Sequence, residues 1–300
     1  MKSLRQSTFF PWIIYFTLAL IWGSSFILMK KALITYSSVE LGASRIVITF
    51  IFLSPLAFKR FKKVPRNLWV YIGLAGLIGN GIPAFLFAYA QTGIDSSTAG
   101  ILNSLTPLFT MIAGLLFFGT RTRWYNLTGV FIGLGGALGL MMIAGGKGFQ
   151  FNFSFGIFII IATILYAINA NLLKKFLHGV DAITITTFAF FIMGIPATAF
   201  LLLGTDFTHD LINKPDGLQG LLYICILAVV GTALSVIAYN KLIKITTAVF
   251  ASSVTYLMPV IALMWGVADG ELFTWSHLLW ILLIIAGVYL VNLKPRKTEL

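Results

Sequence analysis

The chain has 300 residues, of which 59% are hydrophobic and only 10% are charged, and its formal net charge is +12. Soluble domains usually contain about 25% charged residues, so this composition excludes an ordinary soluble fold and indicates an integral membrane protein. The apolar runs are continuous and about 20 residues long, which suits helices crossing a hydrocarbon core of about 30 Å and not the shorter alternating segments of a membrane barrel.

Ten apolar runs follow one another along the chain, with short loops between them. The predicted spans are residues 11–29, 39–58, 68–90, 96–118, 124–143, 154–173, 182–203, 218–240, 247–268 and 276–293. Because they use nearly the whole sequence, no soluble domain or cofactor module is expected. The predicted fold is an all-α integral membrane protein with ten transmembrane helices and no cofactor.

The first run could also be a signal peptide, because Lys2 and Arg5 precede it. A cleavable signal has an apolar core of about 7–15 residues and a small-residue cleavage site. The run from Phe9 to Met29 is longer, and the segment that corresponds to it in the second half is internal. We therefore expect the first helix to be retained.

The second half of the sequence repeats the first. A shift of 152 positions places the third and fourth runs on the eighth and ninth, and aligns Tyr71, Ile72, Gly79, Ala99, Leu105, Pro107 and Gly114 with Tyr223, Ile224, Gly231, Ala251, Leu257, Pro259 and Gly266. The repeat predicts two units of five helices each, residues 1–146 and 147–300. Because five is odd, the second unit must lie inverted in the membrane, which is the architecture of alternating-access carriers.

Basic residues are distributed unevenly between the two sides of the predicted bundle. Sixteen lie on the side of the N-terminus, and four lie on the opposite side, namely Lys30, Lys31, Lys147 and Lys214. By the positive-inside rule, this bias predicts a multi-pass protein of the cell inner membrane with both termini in the cytoplasm. Since topology accounts for the positive charge, nucleic acid is not an expected partner.

Charged residues are nearly absent from the predicted spans. All nine acidic residues fall in loops, tails or outermost turns, so the buried carboxylate typical of a proton pump is missing. Arg45 is the only clearly intramembrane charge. It either binds an anionic group of a substrate or holds helix ends together through backbone carbonyls or Glu40. Cys225 and the three scattered histidines form no metal-binding motif, so no metal site is expected.

Neutral polar and aromatic residues recur at related places in the two halves. Aligning Lys30-Lys31 with Lys174-Lys175 pairs an aromatic and a hydrogen-bonding residue of the first helix with two such residues of the sixth. Such residues are costly in a membrane and mark candidate sites. The candidate substrate-binding residues are Trp22, Ser25, Arg45, Asn80, Asn103, Tyr166, Asn169, Tyr239 and Tyr256.

Two aligned prolines, Pro107 and Pro259, interrupt the fourth and ninth spans. A proline removes a backbone hydrogen bond, which is tolerated where protein or a water-filled cavity satisfies the free carbonyl. The pair therefore marks either a cavity at the membrane midplane or two packing kinks whose hydroxyl groups bond back to their own helices.

Glycines spaced four residues apart, Gly129 with Gly133 and Gly135 with Gly139, lie in the fifth span. This spacing allows close approach of two helices. It predicts close packing or dimerisation through this helix, and hence a monomer or a weak homodimer.

These residues together resemble the EamA-type transporters of the drug/metabolite transporter superfamily. The resemblance includes the run from Leu20 to Phe26, the stretch from Ala99 to Gly119, the run from Tyr256 to Val260, and the position of Arg45. One motif departs from the family pattern. Gly-Glu is retained at Gly270-Glu271, but in the first half a threonine follows Gly119.

The resemblance implies a basket of ten helices, in which helices 5 and 10 are peripheral and the others surround a central cavity. It implies a secondary transporter of a small organic metabolite, amino acid-like or drug-like, with export favoured, and no enzymatic activity. An importer or exchanger of the same fold, a channel and a membrane-embedded enzyme are the alternatives. The expected partners are the small-molecule substrate and the lipid bilayer.

Overall fold

The computed structural model describes residues 9–61, 64–94, 96–144, 153–261, 264 and 275–293, and within these ranges the regular structure is entirely helical. The helices are α1 (Phe10–Ala32), α2 (Ser38–Arg60), α3 (Arg66–Ala90), α4 (Ser96–Asn103), α5 (Thr106–Phe117), α6 (Trp124–Ala144), α7 (Phe153–Phe176), α8 (Ala182–Leu203), α9 (Phe207–Asn213), α10 (Gly217–Ile245), α11 (Ala248–Ile261) and α12 (Trp275–Asn292).

Seven of the described helices are long and apolar enough to cross a membrane, namely α1, α2, α3, α7, α8, α10 and α12. The predicted fourth span is not one helix, because a turn at Ser104 and Leu105 separates α4 from α5. The short α9 lies in a stretch that was predicted to be a loop. Most of the chain after Ile261 in the predicted ninth span, together with Gly270 and Glu271, lies outside the described residues.

Side chains that cap helix N-termini fix several helix starts. Ser37 and Glu40 form a capping box at α2, in which Glu40 Oε2 accepts a hydrogen bond from Ser37 N at 2.8 Å. Asp181 Oδ1 accepts one from Thr184 N at 3.0 Å at the start of α8. The acidic residue of α2 is thus used locally at the helix terminus.

The helices pack in pairs that join the two halves of the chain. The first helix, α1, packs along α10, and α7 packs along α3 in the same way. Extensive contacts also join α2 to α8 and α6 to α12. The contact of α1 with α10 therefore has a counterpart, that of α7 with α3, in which the roles of the halves are exchanged.

Glycines bring α6 and α12 into backbone contact. A Cβ atom on Gly287 would lie 2.4 Å from Gly133 N, and one on Gly136 would lie 2.8 Å from Ile284 N. Gly135, in contrast, has no neighbour within 4 Å of such an atom. The glycine spacing of the fifth span thus produces close packing within the chain.

Two π-helical segments interrupt α3 and α10 at positions 152 residues apart. They are Leu77–Gly81 and Val229–Leu234. In the second segment, Thr232 Oγ1 donates to the carbonyl of Leu227 at 2.9 Å, five residues earlier. Such π-segments occur frequently at functional sites, and both of these face the space between the halves.

Candidate functional site

A central cavity lies between the two halves, with about 1080 Å³ of space between its atoms when the open space at its mouth is included. No described residue of α6 or α12 lines it, in agreement with the peripheral placement expected of these helices. Its lining residues are Trp22, Ser25, Phe26, Met29, Arg45, Ile46, Gly79, Asn80, Ala84, Phe87, Asn103, Thr106, Tyr166, Asn169, Phe190, Gly231, Thr232, Val236, Tyr239, Asn240, Ser252, Thr255 and Met258.

Eight of the nine candidate binding residues line this one cavity, although they come from six different helices. The exception is Tyr256, which is fully buried and donates its hydroxyl hydrogen to the carbonyl of Val130 in α6 at 2.9 Å. It lies in the 3₁₀ segment Ser253–Leu257, whose tighter turn changes which residues share a face. Its neighbours Thr255 and Met258 face the cavity in its place.

The aligned residues of α1 and α7 meet the aligned glycines of the opposite half. A Cβ atom on Gly231 would lie 3.2 Å from Ser25 Oγ, and one on Gly79 would lie 2.1 Å from Asn169 Nδ2. The contacts are reciprocal, because Ser25 of the first half meets Gly231 of the second and Asn169 of the second half meets Gly79 of the first. Both glycines leave room for a polar side chain of the other half.

Aromatic side chains form two parts of the wall. Trp22 Nε1 donates to the carbonyl of Gly231 at 2.9 Å, and its ring contacts Tyr239 edge-on with 5.2 Å between centroids. Tyr166 stacks on Phe87 with 5.9 Å between centroids. The wall can thus contact flat or apolar parts of a ligand.

Several polar groups of the wall retain unused hydrogen-bonding capacity within the described part of the chain. Asn169 Oδ1 is buried and has no hydrogen-bond partner. Asn103 is partly used, because its Nδ2 donates to Met258 Sδ at 3.2 Å and its Oδ1 accepts from Thr106 Oγ1 at 3.3 Å. Unsatisfied buried groups are costly, so a ligand or ordered water is expected to satisfy them.

The prolines do not line the cavity, but the residue before each of them does. The carbonyl that Pro107 leaves free, that of Asn103, accepts a hydrogen bond from Thr106 Oγ1 at 2.6 Å. The corresponding carbonyl near Pro259, that of Thr255, accepts one from Ser104 Oγ in the other half at 3.3 Å. The carbonyls that the two prolines leave free are therefore hydrogen-bonded by protein groups, and both prolines also lie next to the cavity.

Arg45 projects from α2 into the cavity wall and makes neither of the structural contacts that its sequence position allowed. Its Nη2 donates to Thr232 Oγ1 at 3.1 Å, and among the described residues no hydrogen bond to a backbone carbonyl and no ion pair with Glu40 accompanies this bond. Its Nε is buried without a partner.

The sequence interpretation missed the apolar part of the wall. Phe26 lies four residues after Trp22, so helical periodicity places it on the same face, and this signal was available. Phe87, Phe190 and Met258 carry no comparable signal, because an apolar residue in a membrane helix is ordinary whether it faces lipid, protein or a cavity.

The sequence profile of the EamA-like transporter family matches residues 10–142 and again residues 154–293. The chain belongs to this family. The resemblance seen in the sequence motifs is thereby confirmed, and the family consists of transporters rather than enzymes.

Relatives at low identity are also transporters by name. The "Uncharacterized inner membrane transporter YedA" of Escherichia coli (strain K12) is 27% identical over 93% of this chain and 92% of its own length. The "S-adenosylmethionine/S-adenosylhomocysteine transporter" of Chlamydia muridarum is 26% identical over 83% of this chain and 80% of its own. The "Probable terminal-alkyne amino-acid exporter" of Streptantibioticus cattleyicolor is 26% identical over 42% of each chain.

A crystal structure of a protein that is 19% identical superposes on this chain with a TM-score of 0.71 and covers 93% of this chain and 95% of its own. At that identity the likeness shows that the fold is shared. The chain is therefore a multi-pass membrane protein with the fold and the family of small-solute transporters.

Proposed function

We propose that this protein is a secondary transporter that moves a small organic solute across the inner membrane by alternating access. Two inverted units of five helices, residues 1–146 and 147–300, would enclose the central cavity and expose it to one side at a time. The observation that carries the proposal is the reciprocal contact of Ser25 with Gly231 and of Asn169 with Gly79. A duplicated and inverted unit produces such an exchange of roles between its halves.

Polar contacts join the halves at both ends of the helices. At one end, Arg60 Nη1 of α2 contacts Asp181 Oδ1 before α8 at 2.7 Å. At the other end, Tyr36 donates its hydroxyl hydrogen to the carbonyl of Gly217 at 2.7 Å. The exposed Arg60–Asp181 pair contributes about 0–1 kcal/mol, whereas the Tyr36 hydrogen bond is buried, so the Arg60 end is expected to open at the smaller cost. This arrangement suits a rocking motion about the cavity.

The cavity wall suits a solute of metabolite size with both apolar and polar parts. Tyr166 and Trp22 would contact its apolar part, while Asn80, Asn103 and Asn169 would bind polar groups. One relative is named as an S-adenosylmethionine/S-adenosylhomocysteine transporter and another as a probable terminal-alkyne amino-acid exporter. We favour export of an amino acid-like or drug-like solute, with import or exchange by the same fold as the alternative.

The proposed orientation places both termini in the cytoplasm, because sixteen basic residues lie on that side and four on the other. The proposed assembly is a monomer. Three of the glycines that could have formed a dimer contact, Gly129, Gly133 and Gly139, already pack against α12 or Tyr256 within the chain.

A metabolite screen followed by counterflow tests the proposed function. Cells that lack or overproduce the protein are compared by metabolomics, and the compounds whose levels change are then tested as labelled solutes in proteoliposomes. We expect saturable counterflow of at least one compound, which Asn80→Ala impairs and the exposed control Gln219→Ala does not. Non-saturable flux would indicate a pore, and chemical conversion of the solute would indicate an enzyme; either result contradicts the proposal.

A further inference from the structure

The cavity wall carries one formal charge among its described residues, and that charge is positive. Arg45 is the only Lys, Arg, Asp, Glu or His side chain that lines the cavity there. The acidic residue nearest to it along the chain, Glu40, is engaged at the helix terminus, where its carboxylate accepts hydrogen bonds from Ser37 N and Ser37 Oγ, both at 2.8 Å. The guanidinium group therefore lacks a protein counter-ion in the described wall.

The hydrogen bonding of this guanidinium group is also incomplete. It offers five N–H donors, and among the described residues the one hydrogen bond it makes is from Nη2 to Thr232 Oγ1 at 3.1 Å. The Nε atom is buried and has no partner. An arginine that is held in a membrane protein with one neutral acceptor is expensive, and such residues generally have a partner in the working state.

We infer that Arg45 is the anchor for a carboxylate group of the solute, so that the protein transports organic acids or amino acids with an uncharged body. The guanidinium fork matches a carboxylate in two parallel hydrogen bonds, which are short and strong because both partners are charged. This inference rests on the proposed transport function and names the substrate class of the same cavity.

The rest of the wall defines the body that would accompany the carboxylate. Trp22 and Tyr239 meet edge-on, and Tyr166 stacks on Phe87, so the walls beside the charge are aromatic. Asn169 Oδ1 remains as a buried acceptor that a donor group of the solute can satisfy. A second charge on the solute finds no opposite charge in the described wall, which disfavours compact dications and polyanions, and the ammonium group of an amino acid would be held by a neutral acceptor such as Asn169 Oδ1.

The inference is tested with matched compounds that differ only in charge. Purified protein is melted in detergent with acetate, hexanoate or 3-phenylpropionate and, separately, with the amide of each acid and with inorganic phosphate. We expect at least one carboxylate to raise the melting temperature with an affinity about tenfold or more above that of its amide, as charge-assisted hydrogen bonds imply. Equal stabilisation by acid and amide, no stabilisation by any acid, or a response to phosphate alone would each overturn the inference.

Variants test whether Arg45 causes the preference for acid over amide. Arg45→Gln should abolish the preference for acid over amide, and Arg45→Lys should retain a weaker preference, because it keeps the charge without the planar fork. The control Arg66→Gln removes an exposed arginine at the start of α3 and should behave like the unaltered protein. If Arg45→Gln does not fold, the reduced preference of Arg45→Lys decides; an unreduced preference in either variant contradicts the inference.

Counterflow assays distinguish a failure of this inference from a failure of the proposed function. Saturable counterflow of a neutral solute that Arg45→Gln leaves unchanged would preserve the transporter and overturn the carboxylate anchor. Carboxylate binding that depends on Arg45, without saturable counterflow of any solute, would preserve the anchor and overturn the transport function.

Discussion

The first half of the chain presents Trp22 and Ser25 to the cavity from α1, and the second half presents Tyr166 and Asn169 from α7 at the aligned positions. Each pair supplies one aromatic and one hydrogen-bonding side chain. The helices that carry the two pairs also pack in the same way against the opposite half. Duplication has thus preserved the scaffold and the type of residue at these positions.

The aligned helices α2 and α8 differ in the residues that they contribute to the cavity wall. In the described wall, α2 contributes Arg45 and Ile46, whereas α8 contributes only Phe190. One side of the cavity is therefore charged and the other is apolar. In the proposed transporter, the likeness of the halves would provide the cavity and the moving parts, while the differences between them would provide the chemistry that selects a solute.

The largest expected effect comes from alanine substitution of the aligned glycines, which tests whether the two halves differ at the cavity. In Gly79→Ala the new Cβ would lie 2.1 Å from Asn169 Nδ2, so that the amide must move into the cavity. In Gly231→Ala the nearest atom, Ser25 Oγ, is 3.2 Å away. Overpacking costs roughly 1–3 kcal/mol, and at Gly79 this cost falls on an amide that lines the cavity, so we expect about a tenfold or greater loss of transport rate for Gly79→Ala and less than about a threefold loss for Gly231→Ala.

Initial rates of counterflow, normalised to folded protein by gel filtration, measure this difference. Equal losses in the two variants would mean that the two sides of the cavity are more alike than their side chains indicate.

Tyr256 gives an intermediate effect and separates packing from binding. Tyr256→Phe removes the hydrogen bond from its hydroxyl to the carbonyl of Val130, which contributes about 1 kcal/mol. We expect the melting temperature to fall by about 2–4 °C while the KM for transport stays unchanged. Asn103→Ala, which alters the cavity wall itself, should change KM. A raised KM in Tyr256→Phe would show that this tyrosine contributes to solute binding.

The smallest effect is expected at the end of the bundle where Tyr36 contacts Gly217, in an ion pair between two residues of the second half. A hydrogen bond from Lys214 Nζ, at 2.6 Å, holds the pKa of the Asp210 carboxyl below its usual value. A lowered pKa in the folded state stabilises the protein above the ordinary carboxyl pKa of about 4, and this contribution disappears as the pH falls through the folded value.

Melting curves between neutral pH and about pH 3 compare the protein with Asp210→Asn. The variant should be slightly less stable at neutral pH, and the difference should vanish at the acidic end. A difference that persists there would assign the stabilisation to something other than this carboxylate.

The sequence predicted most helix boundaries to within a few residues, and eight of its nine candidate residues line one cavity; that they bind a solute stays a prediction. Trp22, Arg45 and Asn169 were recognisable because polar and aromatic groups inside a membrane span are costly and therefore selected for a reason. The paired π-segments could not be predicted from hydropathy, since an extra residue in a helical turn leaves the composition unchanged.

Two errors have the same physical origin. The fourth span is divided at Ser104 and Leu105, and Tyr256 turns away from the cavity in a 3₁₀ segment, because local changes of helical pitch near proline alter which residues share a face. Phe190 was missed for another reason, as an apolar side chain gives no sign of what it faces.

The central claim is that two halves rock about one cavity, so that the two ends open in turn. Spin labels in a Cys225→Ser background can report both ends, at exposed Lys59 and His178 near the Arg60 contact and at exposed Ile34 and Leu218 near the opposite contact. Arg60→Gln removes the ion pair with Asp181 and should favour opening of that end.

Double electron–electron resonance then measures both label pairs with and without this substitution. The account predicts that the Lys59–His178 distance distribution shifts to longer values while the Ile34–Leu218 distribution shifts to shorter ones. Movement of both ends in the same direction, or no change at the far end when the near end opens, would contradict it.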